Sequence, residues 1–194
     1  MRSFYEAFWA DAPQDPEPYA FERRRALLLA EVRPGDRVLD FGCGAGRFLR
    51  ELDDAIGVEI AEEAARRARE NTGADVRLLQ PDGSIPLGHG EADLVWCSET
   101  LEHIPDVAHA LLEIRRVLKP GGRLLVTVPY HPPVAIVRFD REFDPLGQHV
   151  RFFTRRSLAR TLDAAGFEAI RTWRTGRMLV ARAIRPPLPP PARP

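Results

Sequence analysis

The run Val38-Leu39-Asp40-Phe41-Gly42-Cys43-Gly44-Ala45-Gly46-Arg47-Phe48 constrains the fold more than any other part of the chain. It reads as a buried strand that passes straight into a glycine turn and then into a helix. Glycine at 42, 44 and 46 strips side chains from the turn, so backbone N–H groups can meet a ligand at close range. The spacing G-x-G-x-G is one residue tighter than the G-x-G-x-x-G of dinucleotide binders. In open α/β sheets, ligands bind beyond the carboxyl ends of the strands, which is where such a turn sits.

The rest of the chain alternates between short apolar runs and amphipathic stretches. Strands are predicted over 37–41, 55–60, 76–79, 92–97 and 123–128. Between them, helices are predicted over 47–52, 62–71 and 107–118. The last of these has Asp106 as N-cap, Ala108, Leu111, Leu112, Arg115 and Leu118 marking its register, and Pro120-Gly121-Gly122 ending it. Thr154 caps a further helix to Ala165, with Gly166 at its end. Residues 167–173 and 177–184 then read as a hairpin around Thr175-Gly176. The fold class expected from this order is α/β: a doubly wound, mostly parallel seven-stranded sheet with helices on both faces and a C-terminal antiparallel hairpin.

The 194 residues, with 44% apolar and 29% charged side chains, suit a single globular domain with a sizeable core. Residues 1–34 read as an N-terminal helical cap, 35–185 as the main domain, and 186–194 as a proline-rich extended tail. Within the main domain, 129–150 is an insertion on the substrate side, too long for a simple connection. Residues 1–21 hold six of the sixteen aromatics, and Phe4, Tyr5, Phe8 and Trp9 share one helical face. That face serves either as packing or as a lid over a substrate. Helix is predicted again over 21–31.

Two cysteines, Cys43 and Cys97, exclude a disulfide framework and point to a reducing, cytoplasmic setting. No apolar run is long enough to span a membrane, and the N-terminal residues do not read as a signal peptide. Formal net charge is zero, yet residues 123–194 carry 13 Arg against 5 acids. Those arginines read as a solvated face, or as a surface that meets an anionic substrate.

The stretch Val38 to Phe48 resembles motif I of the class I S-adenosylmethionine-dependent methyltransferases, and four further segments repeat the likeness in order. Gly57-Val58-Glu59-Ile60 resembles the end of their second strand, and Asp82-Gly83 their acidic turn. Ala92 to His103 resembles motif IV, and Leu118 to Pro129 the segment before the fifth strand. The likeness implies the methyltransferase fold over roughly 35–184 and S-adenosylmethionine as cofactor. It implies cofactor contacts at Asp40, Gly42, Gly44, Gly46, Glu59, Ile60, Asp82, Gly83 and Ser98. Glu59, 17 residues past Gly42, is expected to hold the ribose hydroxyls through its two acceptor oxygens. Asp82 is expected to read the adenine amino group, or else to be an ordinary turn residue. Asp40 is either a cofactor residue or a brace for the glycine turn through its backbone N–H groups.

Methyl transfer is an in-line displacement in which the protein supplies alignment and exclusion of water, so no covalent residue is required. The acceptor must still lose a proton, to a base or with the help of a metal. Glu99-Thr100-Leu101-Glu102-His103, with His149 later, resembles two subfamilies: the ubiquinone-biosynthesis O-methyltransferases and the small-RNA 2′-O-methyltransferases. In the second, two Glu and two His hold a divalent cation. The matching set here is Glu99, Glu102, His103 and His149, with Mg²⁺, Mn²⁺ or Zn²⁺ as the ion. Without metal, His103 or His149 is the expected proton acceptor, since imidazole titrates near neutral pH. His131 ranks behind them, and His89 and His109 read as surface residues.

The expected activity is methyl transfer to an oxygen, or nitrogen, of a small molecule, with O-methylation of a hydroxylated acceptor first. RNA ribose 2′-O-methylation and a non-catalytic S-adenosylmethionine-binding subunit or sensor are the alternatives. A nicotinamide-dependent oxidoreductase is disfavoured by the tight glycine spacing and by the lack of a second catalytic domain. The sequence leaves oligomeric state open.

Overall fold

The computed structural model describes residues 2–130 and 149–187. Most of the 129–150 insertion, His131 and the end of the tail lie outside the described residues. Seven strands form one sheet: β1 (Val38–Phe41), β2 (Ala55–Glu59), β3 (Asp75–Leu78), β4 (Ala92–Ser98), β5 (Leu118–Pro129), β6 (Glu168–Thr175) and β7 (Met178–Ile184). Their order is β3-β2-β1-β4-β5-β7-β6. β1 pairs in parallel with both β2 and β4, β4 with β5, and β2 with β3. β7 runs antiparallel to β5 and to β6. The strand order reverses at β1, between β2 and β4, and the glycine turn leaves the sheet at that switch point.

Both faces of the sheet are covered, so strand residues alternate between two apolar environments rather than between core and water. On β4, Leu94 and Trp96 join Val38, Leu125 and Val180 beneath α2 (Phe21–Glu31), which contributes Phe21 and Leu28. Val95 and Cys97 face the opposite layer, which holds α4 (Val107–Val117) and α5 (Arg155–Ala164). A smaller cluster of Cys43, Leu49, Ala65, Ala68 and Val76 packs α3 (Glu62–Thr72) against β2 and β3. Cys43 and Cys97 are both buried and free, so no disulfide joins them. Among the described residues no helix is long and apolar enough to cross a membrane.

Local chemistry sets the helix ends as expected. Asp106 accepts from the His109 backbone N–H at 2.9 Å, and Thr154 forms a reciprocal capping box with Ser157. Such caps contribute about 0.5–2 kcal/mol each. The α4 register differs from the sequence reading. Val107, Ala110, Leu111, Ile114 and Val117 are the buried face, while Leu112 is 52% exposed. The helix expected over 47–52 is only a 3-10 turn, Leu49–Glu51. Phe48 and Leu49 point into different clusters, and β2 begins at Ala55, so no room remains for a longer helix.

The N-terminal α1 (Arg2–Asp11) buries none of its own residues. Polar contacts dock it instead. Glu6 accepts from the Glu62 and Glu63 backbone N–H groups at 2.6 and 3.3 Å, and so caps α3, whose own N-cap residue Ala61 supplies no side-chain bond. Arg2 donates to the Leu79 carbonyl at 2.5 Å, and Arg67 of α3 donates to the carbonyls of Ala12 and Pro13.

Candidate functional site

A cavity of about 740 Å³ opens at the carboxyl ends of β1, β2 and β4, where the glycine turn, the β2 end, the Pro81-Asp82-Gly83 turn and α1 converge. Its volume falls in the range of small-molecule sites. Phe4, Tyr5, Phe8 and Trp9 of α1 line one side, so this aromatic face roofs a cavity and does not pack into the core. Tyr5 meets the His103 ring edge-on at 6.0 Å.

Two of the three turn glycines line the cavity, and each is tightly constrained. Gly42 has φ 82°, and a Cβ there would lie 2.6 Å from Thr100 Oγ1. Gly44 has φ 53°, and a Cβ would approach the Trp9 ring to 3.0 Å. Gly46 has a different task. It lets α3 approach, since a Cβ would stand 2.9 Å from Thr72 Cγ2, and it is not on the cavity wall.

Glu59 ends β2 and is 6% exposed. Its Oε2 accepts from Gly44 N–H at 2.9 Å, and its Oε1 from Ile60 and Ala61 N–H at 2.7 and 3.1 Å. Burial raises its pKa, and these three bonds work against that rise. The brace of the glycine turn is therefore Glu59. Asp40, read as a possible brace, makes no such bond. It lies 2% exposed behind the cavity wall, its Oδ2 has no hydrogen-bond partner among the described residues, and burial lifts its pKa to about 7. Ile60, Asp82 and Gly83 line the cavity. Asp82 Oδ1 accepts from Ser84 N–H and Oγ, which lowers its pKa. Ser98 is not on the wall. Its Oγ accepts from Arg24 Nε at 2.8 Å and bonds Thr127 Oγ1 at 2.6 Å.

Arg24 escaped sequence reasoning. It is 5% exposed, and Asp40, Glu99 and Glu102 surround it electrostatically. The signal was its place between Phe21 and Leu28 on the buried stripe of α2, where an apolar residue belongs.

The four expected metal ligands divide. Glu102, His103 and His149 bring ligand atoms within 4.8 Å of one another. Glu99 is not in that group. It lines the cavity in the left-handed region at φ 52°, its backbone N–H bound to the Thr127 carbonyl. Glu102 is 1% exposed, and neither carboxylate oxygen has a hydrogen-bond partner among the described residues. Burial first, then the Glu99 charge, raises its pKa far above the usual carboxylate range. His103 Nε2 lies 3.7 Å from Glu102 Oε1, and the His103 and His149 ring centres are 4.8 Å apart. Of the two imidazoles, His103 is on the cavity wall. His89 is exposed as expected, whereas His109 lines the cavity beside Gly83.

Comparison with known proteins follows from this geometry. The sequence signature of the family described as "Methyltransferase domain" matches residues 8–172. The 27-O-demethylrifamycin SV methyltransferase of Amycolatopsis mediterranei is 36% identical over 134 residues, covering 63% of this chain and 49% of that protein. The ubiquinone biosynthesis O-methyltransferase of Thiobacillus denitrificans is 30% identical over 152 residues, covering 69% and 65%. The chain spans between a third and two thirds of the length of the curated relatives it matches. Among solved structures, a SAM-dependent methyltransferase of Thermotoga maritima, titled a possible histamine N-methyltransferase, superposes with TM-score 0.76 at 23% identity, over 95% of this chain and all of that one. That likeness establishes the fold: a Rossmann-like methyltransferase sheet.

Proposed function

The chain belongs to the methyltransferase-domain family, and from that premise we propose that it moves a methyl group from S-adenosylmethionine to an oxygen or nitrogen of a small molecule. The observation that carries this reading is one cavity lined by Gly42, Gly44, Glu59, Ile60, Asp82 and Gly83 together with Glu99, His103 and aromatic side chains of α1. The cofactor, when bound, supplies a methyl group on a positive sulfur and a neutral thioether leaving group. Bare backbone at Gly42 and Gly44 lets the methionine portion approach closely. Glu59 offers its remaining lone pairs to ribose hydroxyls while the Gly44, Ile60 and Ala61 amides fix its orientation. The aromatic roof of α1 excludes water and confines the acceptor over His103. His103, on the wall, takes the acceptor proton, and His149 meets its ring edge-on.

Calorimetry with S-adenosylmethionine, S-adenosylhomocysteine and NAD tests the reading. The two sulfur nucleosides bind and NAD does not; binding of NAD alone overturns it. Turnover of hydroxylated, amine and RNA acceptors then separates O- from N-methylation and from the RNA alternative.

The convergence of Glu102, His103 and His149 supports a second reading, in which these residues hold a divalent cation. The donors fit such an ion: one carboxylate whose oxygens have no hydrogen-bond partner among the described residues, and two imidazoles. With Glu99 apart, the set is rich in nitrogen and suits Zn²⁺ or Mn²⁺ better than Mg²⁺. The ion would lower the pKa of an acceptor hydroxyl that it binds.

A further inference from the structure

His109 stands on the first turn of α4, held by the bond from its backbone N–H to Asp106. Its ring presses on the Pro81-Asp82-Gly83 turn, where a Cβ at Gly83 would meet His109 Cδ2 at 3.2 Å and Nε2 at 3.4 Å. Gly83 is thus constrained twice, by φ 85° and by the imidazole edge. Nε2 is buried and has no hydrogen-bond partner among the described residues, although the ring lines the cavity. Glu113 and Asp82 are the charged groups whose fields include His109. Neither accepts a hydrogen bond from Nε2. Nε2 itself lies against Gly83, and a buried polar atom without a protein partner, on a ring that lines a cavity, can be satisfied by a ligand atom once the ring turns.

We propose that His109 is a base-recognition residue, whose Nε2 hydrogen-bonds a ring nitrogen of a purine held against the Asp82-Gly83 turn. This rests on the reading of that turn as the adenine end of the cavity. Rotation about the Cβ–Cγ bond, a soft sp³–sp² torsion, swings Nε2 from the wall to the base. Asp82 keeps Oδ1 on Ser84 and presents its other oxygen to an exocyclic amino group. The pair then reads two adjacent edges of one base: an amino donor at Asp82, a ring nitrogen at His109. A base with an oxo group in place of the amino group meets a carboxylate.

The test uses S-adenosylhomocysteine, its 1-deaza and 7-deaza analogues, and its inosine counterpart as probes, with affinities from calorimetry. His109→Phe keeps the ring shape and removes the bond. It is expected to weaken S-adenosylhomocysteine about tenfold, or about 1.4 kcal/mol. One deaza analogue should lose as much on the native protein and no more on the variant. Equal affinities of native protein and variant for S-adenosylhomocysteine overturn the assignment. So does an equal further loss of every analogue on the variant, which describes a packing role. In ¹⁵N-histidine-labelled protein, the His109 ring resonance, identified by its absence from His109→Phe, is expected to shift on adding S-adenosylhomocysteine. A fixed resonance while the ligand binds refutes His109 alone. Failure of the native protein to bind any sulfur nucleoside refutes the cofactor reading and this assignment with it.

Discussion

At the scale of single residues, the site is governed by buried carboxylates with few cations to balance them. Glu59→Ala removes three amide contacts and the proposed ribose partner together, so S-adenosylhomocysteine affinity measured by calorimetry should fall tenfold or more, about 1.4 kcal/mol. Unchanged affinity removes Glu59 from the ribose role. Asp40 makes a prediction about pH. Its folded pKa of about 7 stands above the ordinary value of 3.8, so between these values the unfolded chain gives up a proton that the folded chain keeps. Stability therefore falls as pH rises from about 4 to about 7, by a few kcal/mol at most. Asp40→Asn should flatten that slope in urea titrations at pH 5 and pH 8. The sequence showed the acids and glycines but not their division of labour. Asp40 lies within buried β1 and Glu59 ends buried β2, and only the path of the turn decides which one the amides reach. Ser98 lay in the right segment, yet strand alternation turned its hydroxyl toward Arg24 and away from the cavity.

At the scale of elements, α1 is fastened by charge and hydrogen bonds and buries nothing of its own. Deleting residues 1–20 should therefore raise the acceptor KM far more than it weakens the cofactor. A loss confined to melting temperature would mean that the aromatics merely pack. The strands and most helices were legible because alternation, caps and glycine stops act locally, as at Asp106, Thr154 and Gly166, whose N–H bonds Asp163 O at 2.9 Å. The helix over 47–52 was not legible. Its length was set by tertiary demands: Gly46 beneath α3, and Phe48 and Leu49 called to different cores. The phase of α4 slipped because Leu112 is apolar yet exposed, which periodicity alone cannot know. The position of His109 on the cavity wall follows from that phase.

At the scale of the whole molecule, the fold gathers the candidate site residues among the described ones at or behind the carboxyl ends of β1, β2 and β4, and the chemistry there decides between two readings. With a metal at Glu102, His103 and His149, a chelator abolishes turnover and Mn²⁺ or Zn²⁺ restores it. Full turnover in chelator leaves His103 as an unaided base. The uneven charge of the chain has a local outlet: Arg151, Arg155 and Arg174 donate to the carbonyls of Pro105, Thr172 and Gly176. The fold class was legible from the order of elements, whereas the roof over the site depends on where a short aromatic helix lands, and local sequence does not encode that. The Glu6 cap has its own consequence. The amides of Glu62 and Glu63 are shielded only while α1 sits in place, so the rate at which they trade hydrogen for deuterium is a clock on the opening of the entrance, readable with no substrate in hand.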